Sequence, residues 1–515
     1  MQKERRLPAE DHKKRLAAVL AITLGLKLFL AWLIPVTGDE AYFFLWGQNP
    51  ALGFYDHPPM VGWFLTPLMA LGDALWWLRL PTILITTGIG WGMYRLLRGV
   101  DQERALLAAT LYLLAPATVI GVPITTDTPL ILWSFLSALC FYRAQEKDHW
   151  GWYLAAGVFL GLAFLSKFFA GILGLAFVAY LALFVRRGWR PWVGIVLVVL
   201  GTVPFIALNL AWNYDHCWDN YLFNLFNRTR GDHASITGPL LYVLMWFYLA
   251  TPPVFVYLVR GRSRVREMMR AERLGLFAAL ILVAASLFAL LSIRQAVGLH
   301  WVLSFYPFLF IATGVVLSLR QLKISTWFMG LFTAIHVLVV IGLVVLPTSV
   351  FKPWKSPHQY IVLGVHTDEV LRALRPLGDG YLYATTNYSL SATLAYRGRR
   401  RVIVFGPGSE HGRQDDILTD FRTLEGKNIL ILQIHKPKRA YYASLFKSVA
   451  YHTITVEEAQ YYVVLGQGFR YPAYRDGVLA KVRQRFYRIP KFLPCGACYM
   501  NDRYFQTDRS TEEAH

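Results

Sequence analysis

Charge is what this sequence has least of. Of its 515 residues only 16% are Asp, Glu, Lys or Arg, against about 25% in an ordinary soluble domain. A soluble multidomain chain of this length needs more charge to cover its surface and is excluded; so is intrinsic disorder, which requires low hydrophobicity. Cysteine is also scarce: Cys140, Cys217, Cys495 and Cys498 are too few for a disulfide framework. A cleavage site of small residues is missing after the first apolar run, so the basic N-terminus (Lys3, Arg5, Arg6, Lys13, Lys14, Arg15) leads into a retained span rather than a cleaved signal. No internal repeat stands out, which weakens an inverted-repeat transporter.

What the chain does have is apolar sequence: 55% hydrophobic and 15% aromatic residues, with a mean hydropathy of +0.38. These figures describe a polytopic α-helical membrane protein. A bilayer core takes roughly 20 apolar residues in helix. Windows of that kind fall near 16–36, 77–98, 104–121, 127–143, 151–166, 168–185, 192–212, 236–259, 273–293, 301–319 and 326–347. That makes about eleven spans, up to 13, with 60–72 as a further candidate. The net charge of +20 fits basic loops at 95–104, 143–147, 186–190, 260–273 and 320–323, expected on the cytoplasmic side with the N-terminus. No basic–aromatic module claims it for nucleic acid. The alternating loops at 37–76, 122–126, 166–167, 213–235 and 294–300 fall outside, and an odd span count puts the C-terminal tail outside too. The tail alternates strands (381–384, 402–405, 428–434, 461–465) with helices (368–377, 390–396), as a small α/β domain does. The expected division is a transmembrane domain at 1–349, with a large outer loop at 37–76, and a soluble non-cytoplasmic α/β domain at 350–515.

The unusual polar residues sit in the outer set. Gly38-Asp39-Glu40-Ala41-Tyr42 places two acids after the first span, where a carboxylate suits a general base that deprotonates a hydroxyl. Asp39 as a plain helix cap is the competing reading. Tyr55-Asp56-His57-Pro58-Pro59 is a rigid turn presenting an acid and an imidazole. Asp127, in Thr125-Thr126-Asp127-Thr128-Pro129, opens a span as a catalytic acid or as a cap. Lys167, in Leu165-Ser166-Lys167-Phe168, binds a lipid phosphate or snorkels to the headgroups. Asn213 to Trp218, Arg228, Arg230, Arg294 and His300-Trp301 complete the set. Cations near acids and aromatics suit a phosphate-bearing lipid with a sugar headgroup. Lys27 and His336, inside spans, read as structural or snorkelling. Cys495-Gly-Ala-Cys498 is a disulfide or half a metal site. Asp56, His57 and His216 lack the spacing of a metal cluster, and no metal motif is present; the cofactor is left open.

These motifs, in order through 37–310, resemble the bacterial branch of the GT-C glycosyltransferases, the superfamily of dolichyl-phosphate-mannose protein mannosyltransferases and the lipid A aminoarabinose transferase. Tyr388-Ser-Leu-Ser-Ala-Thr-Leu-Ala-Tyr396 and Gly412-Arg413-Gln414 extend the likeness into the tail. His57 departs from an acid–Lys–Pro pattern of the aminoarabinose branch, and Tyr42 from its Arg.

The resemblance implies a multi-pass enzyme of the inner membrane. It would move a hexose or pentose from a polyprenyl phosphate to an envelope glycolipid, glycan or protein on the periplasmic face, with inversion. It implies Asp39, Glu40 and Asp127 as catalytic acids, and His57, Lys167, Arg294 and His300 as donor-phosphate ligands. Tyr42, Tyr55, Asp56 and Trp301 would position sugar or acceptor. A transporter of lipid-linked sugars and a binding or assembly protein are the alternatives from other classes.

Overall fold

The computed structural model describes residues 9–185, 188–230, 235–270, 274–494 and 496–505. Lys3, Arg5, Arg6, Arg186, Arg187, Arg273 and Cys495 lie outside the described residues. The chain divides into two compact units: one of Met1–Ile34, Leu68–Ala207 and Gly231–Leu343, the other of Pro35–Pro67, Leu208–Arg230 and Val344–His515. A single cut at 349 is therefore not what the contacts give. Two earlier segments join the tail, because their aromatic and amide side chains are used up inside it.

The first unit is all helix. Each apolar window of the sequence is occupied by helix, from Ala9–Leu33 to Leu319–Val345. Among the described residues, Glu10–Leu33, Arg190–Tyr214, Gly275–Ser292 and Leu319–Val345 are long and apolar enough to cross a bilayer singly, making this a multi-pass membrane protein. Others are shorter, such as Trp150–Phe164, Ala170–Phe184 and Tyr306–Val316. The expected straight span at 236–259 is instead two helices, Thr237–Ala250 and Pro252–Arg260, meeting at 104°. Thr251 at the break takes φ +67°, and Pro252 starts the second helix without an N–H to donate.

Three polar side chains inside this unit are held by hydrogen bonds. Lys27 is buried and donates to Thr86 Oγ1 at 3.0 Å and Thr87 Oγ1 at 3.3 Å. Arg79, also buried, donates to the carbonyls of Ala31 and Ile34 at 2.9 and 2.7 Å, closing the end of the first long helix. His336 bridges the Phe332 carbonyl and the Tyr248 hydroxyl.

The second unit is built on a five-stranded sheet of order β2-β1-β3-β5-β4, with β1 Leu382–Thr385, β2 Val402–Val404, β3 Ile429–Gln433, β4 Phe446–Val456 and β5 Ala459–Phe469. β1 runs parallel to β2 and β3; β5 runs antiparallel to β3 and β4. β3 is buried along its whole length, whereas β4 is an edge with most residues in solvent. That is why β3 was legible as an apolar run and β4 was not anticipated. The 37–76 segment, expected as an outer loop with 60–72 as a further span candidate, holds helix Gly38–Gln48 in this unit, and helix Met60–Leu71 occupies the candidate span. Helix Gly38–Gln48 starts at a capping box: Thr37 Oγ1 accepts the Glu40 N–H, and the Glu40 carboxylate accepts the Thr37 N–H. Aromatic stacking supplies the packing around it, Trp46 lying flat on Phe54 with centroids 4.5 Å apart.

Cys498 pairs with Cys217, across 281 residues, rather than within a local Cys-x-x-Cys motif. A bond closing so long a loop constrains the unfolded chain strongly. Replacing both cysteines by serine should lower the stability of the second unit by about 2–5 kcal/mol, read as a lower thermal midpoint in detergent. Non-reducing peptide mapping of the wild type should recover the Cys217 and Cys498 peptides joined.

Candidate functional site

The predicted site residues fall into two groups, one in each unit. In the second unit, the first turn of helix Gly38–Gln48 sets Asp39 in solvent and Glu40 in the interior. Glu40, expected as a catalytic acid, is committed to the capping box that starts the helix. The cap itself is Thr37, not Asp39. Asp39 Oδ1 accepts a hydrogen bond of 2.8 Å from the Tyr388 hydroxyl. Helix Tyr388–Gly398 approaches so closely that a Cβ at Gly38 would overlap the Ser389 side chain.

Beneath Asp39 lies a buried polar core. Asp56 accepts from the Tyr42 hydroxyl at 2.7 Å and from the Gly412 N–H at 3.1 Å. Tyr42 in turn accepts the Gln414 N–H at 3.1 Å, and Gln414 Oε1 accepts the Tyr55 N–H at 2.8 Å. Gly412 has φ +72°, and a side chain there would run into the Tyr388 ring, so the approach of its N–H to Asp56 requires glycine. Burial pushes the Asp56 carboxyl up to about 7, although the Tyr42 and Gly412 hydrogen bonds oppose the rise. Burial, with Asp56 beside it, also holds the Tyr42 phenol well above its usual value.

Asn220 donates to the carbonyls of Phe54 and Tyr55, and Asn227 to the Tyr55 hydroxyl and the Phe486 carbonyl. Arg413, buried, is paired to Asp416. None of these four was expected as a site residue. His57 is half-buried, its ring edge-on to Trp46 and Phe223. His216 lies flat on Trp212 and bonds that residue's carbonyl through Nδ1. Among the described residues, the group with metal-ligand atoms within 4.8 Å of one another is His366, Glu369 and Glu457, not Asp56, His57 and His216.

In the first unit, Asp127 and Lys167 are buried together, with Lys167 Nζ 2.9 and 3.0 Å from the two carboxylate oxygens. Asp127 occupies the first turn of helix Asp127–Lys147, where Thr126 is the cap residue. Both expected structural roles, cap and snorkelling cation, thus give way to an ion pair. Trp301 is buried against Phe169 (centroids 4.9 Å), while Arg294 and His300 are exposed.

With this geometry in hand, relatives are informative. Residues 56–212 match the family model of dolichyl-phosphate-mannose-protein mannosyltransferases. The lipid A galacturonosyltransferase RgtD of Rhizobium johnstonii is 26% identical over 250 residues, 45% of this chain and 51% of the relative. The chain thus spans about half the length of that curated relative. Among solved structures, ArnT from Cupriavidus metallidurans superposes with a TM-score of 0.60 in its apo state at 15% identity, covering 87% of this chain and 97% of ArnT. The undecaprenyl-phosphate-bound form of ArnT gives the same TM-score and coverage at 16% identity.

The chain has the GT-C fold. The resemblance carried by the outer-loop motifs is borne out. The segment matched by the family model includes Asp56, His57, Asp127 and Lys167 but not Asp39.

Two outcomes are expected. Between the ordinary carboxylate value and about 7, unfolded Asp56 is ionised while folded Asp56 keeps its proton. The folded state then binds more protons, so the contribution of Asp56 to stability falls as pH rises through this window. The stability gap between wild type and Asp56→Asn should therefore narrow from pH 4 to about 7 in detergent unfolding; a gap that widens contradicts the assignment. Lys167→Met strands a buried carboxylate and should cost about 3–5 kcal/mol, partly recovered in the Asp127→Asn/Lys167→Met double variant.

Proposed function

We propose that this protein is an integral-membrane glycosyltransferase of the inner membrane. It moves a sugar from a polyprenyl-phosphate carrier to a glycolipid or other envelope glycan on the periplasmic side. The observation that carries this reading is Asp39: a solvent-facing carboxylate at the head of a capped helix, oriented by Tyr388 above the Asp56–Tyr42–Gly412 core. Lipid A as acceptor is supported by the name of the Rhizobium johnstonii relative, and a polyprenyl phosphate by the ligand of ArnT. The Cys217–Cys498 disulfide supports an oxidising, periplasmic location for the second unit.

In the proposed reaction the acceptor hydroxyl attacks the anomeric carbon as Asp39 takes its proton. The bond from that carbon to the carrier phosphate oxygen breaks, and the polyprenyl phosphate leaves with the electron pair. A cation facing the phosphate stabilises the charge that develops. Arg294 and His300 are exposed and suited to this; Lys167 is already matched by Asp127 and would act as a paired group. His57, half-buried, is assigned to a donor contact, with the donor hexose or pentose open; Tyr55 and Trp301 are buried and pack within their own units. The family description favours a protein acceptor as the second reading.

The test is reconstitution with labelled polyprenyl-phosphate sugars and a panel of lipid A, lipopolysaccharide and protein acceptors. Wild type should transfer label, and Asp39→Asn should lose about 10²- to 10⁴-fold in rate with donor binding retained. Donor binding without transfer in the wild type would instead favour a transporter.

A further inference from the structure

The second unit carries a cleft that none of the proposed site residues lines. It encloses about 490 Å³ and is walled by Asp368, Leu371, Arg372, Arg375, Tyr383, Arg397, Gly398 and Arg400. Four guanidinium groups thus share one concavity with a single carboxylate. The elements explain the gathering. Helix Thr367–Leu374 carries Arg372 in its last turn and runs into a 3₁₀ turn that begins with Arg375, helix Tyr388–Gly398 carries Arg397 in its last turn, and β1 contributes Tyr383.

Part of this charge has an internal explanation. Arg397 pairs with Asp368 at 2.7 Å, Arg372 lies 3.7 Å from Glu369, and cations suit helix C-termini. Arg375 is the C-cap residue of helix Thr367–Leu374, yet neither it nor Arg400 has a carboxylate partner among the described residues. Arg400 is held over the buried Tyr383 ring, its guanidinium carbon 3.7 Å from the ring centroid. A cation–π contact takes up none of the guanidinium's five N–H donors. A cleft of this volume is the size of small-molecule sites, which run about 300–1,000 Å³. Guanidinium forks match the oxygens of a phosphate two at a time.

We propose that this cleft is a binding site for a phosphate monoester carried on a sugar, with Arg375 and Arg400 as its principal ligands and Arg372 and Arg397 as its rim. The same chemistry is offered by a free sugar phosphate and by the phosphorylated headgroup of a glycolipid. The site does not depend on the transferase reading: it would bind such a ligand whether or not Asp39 supports catalysis.

The test uses the full-length protein in nanodiscs. Calorimetry with a hexose 1-phosphate examines the free source, and nanodiscs loaded with lipid A or with its dephosphorylated form examine the lipid-borne one. Saturable binding in either arm, weakened about tenfold or more by Arg375→Gln/Arg400→Gln and by raised salt, supports the site. The arm that responds identifies the source. The corresponding Lys variants should bind at an intermediate level, because a point charge keeps attraction but loses the bidentate fit. Absence of wild-type binding in both arms overturns the proposal. So does an affinity unchanged in the Gln variant, or equal binding to phosphatidylglycerol nanodiscs. The salt titration of the wild type decides the matter even where the Gln variant is poorly folded.

Discussion

The second unit is assembled from three stretches of chain far apart in sequence, and the buried Asp56 carboxylate is what two of them share. It accepts from Tyr42 on one side and from Gly412, more than 350 residues later, on the other. A carboxyl taken out of water without donors is costly; here the two donors come from segments that also meet through Tyr388 and Gln414. Gln414 extends the same arrangement to both Tyr42 and Tyr55, and Asn220 brings in the third stretch through the Phe54 and Tyr55 carbonyls. Asp39, one turn before Tyr42 on the same helix, inherits its position from this core.

The helical part of the fold was legible because hydropathy is local: each apolar window became helix without reference to any distant residue. Where the reading missed, the cause was an interaction between distant residues or a feature hidden by averaging. The 104° bend falls at Thr251-Pro252-Pro253, a short helix break that averaging hydropathy over a long window conceals. Lys27 and Arg79 are single polar side chains whose partners, Thr86, Thr87 and two carbonyls, give no local signal. β4 is an edge strand with little buried surface. The pairing of Cys217 with Cys498 has no trace in spacing, and Cys-x-x-Cys drew attention to the wrong neighbour.

The candidate residues show the same division. Asp39, Asp56 and Tyr42 were found by type and position, and the structure brings them into one unit. Glu40 stands beside Asp39 in sequence, but helical geometry turns it inward to the cap, a distinction that adjacency alone does not make. Asp127 and Lys167, read separately as cap and snorkelling cation, are 40 residues apart and meet as a pair. Tyr388, Gly412 and Gln414 lay within the tail motifs but had no role until the tail was placed against residues 37–56.

The Cys217–Cys498 bond also sets a timetable. The first sulfur leaves the ribosome 281 residues before its partner, which at about 5–20 residues per second is a delay on the order of tens of seconds. For that interval Cys217 is a thiol whose segment lacks its later neighbours, since the Cys217 N–H waits on the Ala497 carbonyl and Asn227 on that of Phe486. Oxidation of this bond is therefore a marker of finished assembly rather than an early guide to it. A chain ending anywhere in the C-terminal sheet would lack Cys498 and keep Cys217 without this partner, so the bond reports that the last segment has been reached.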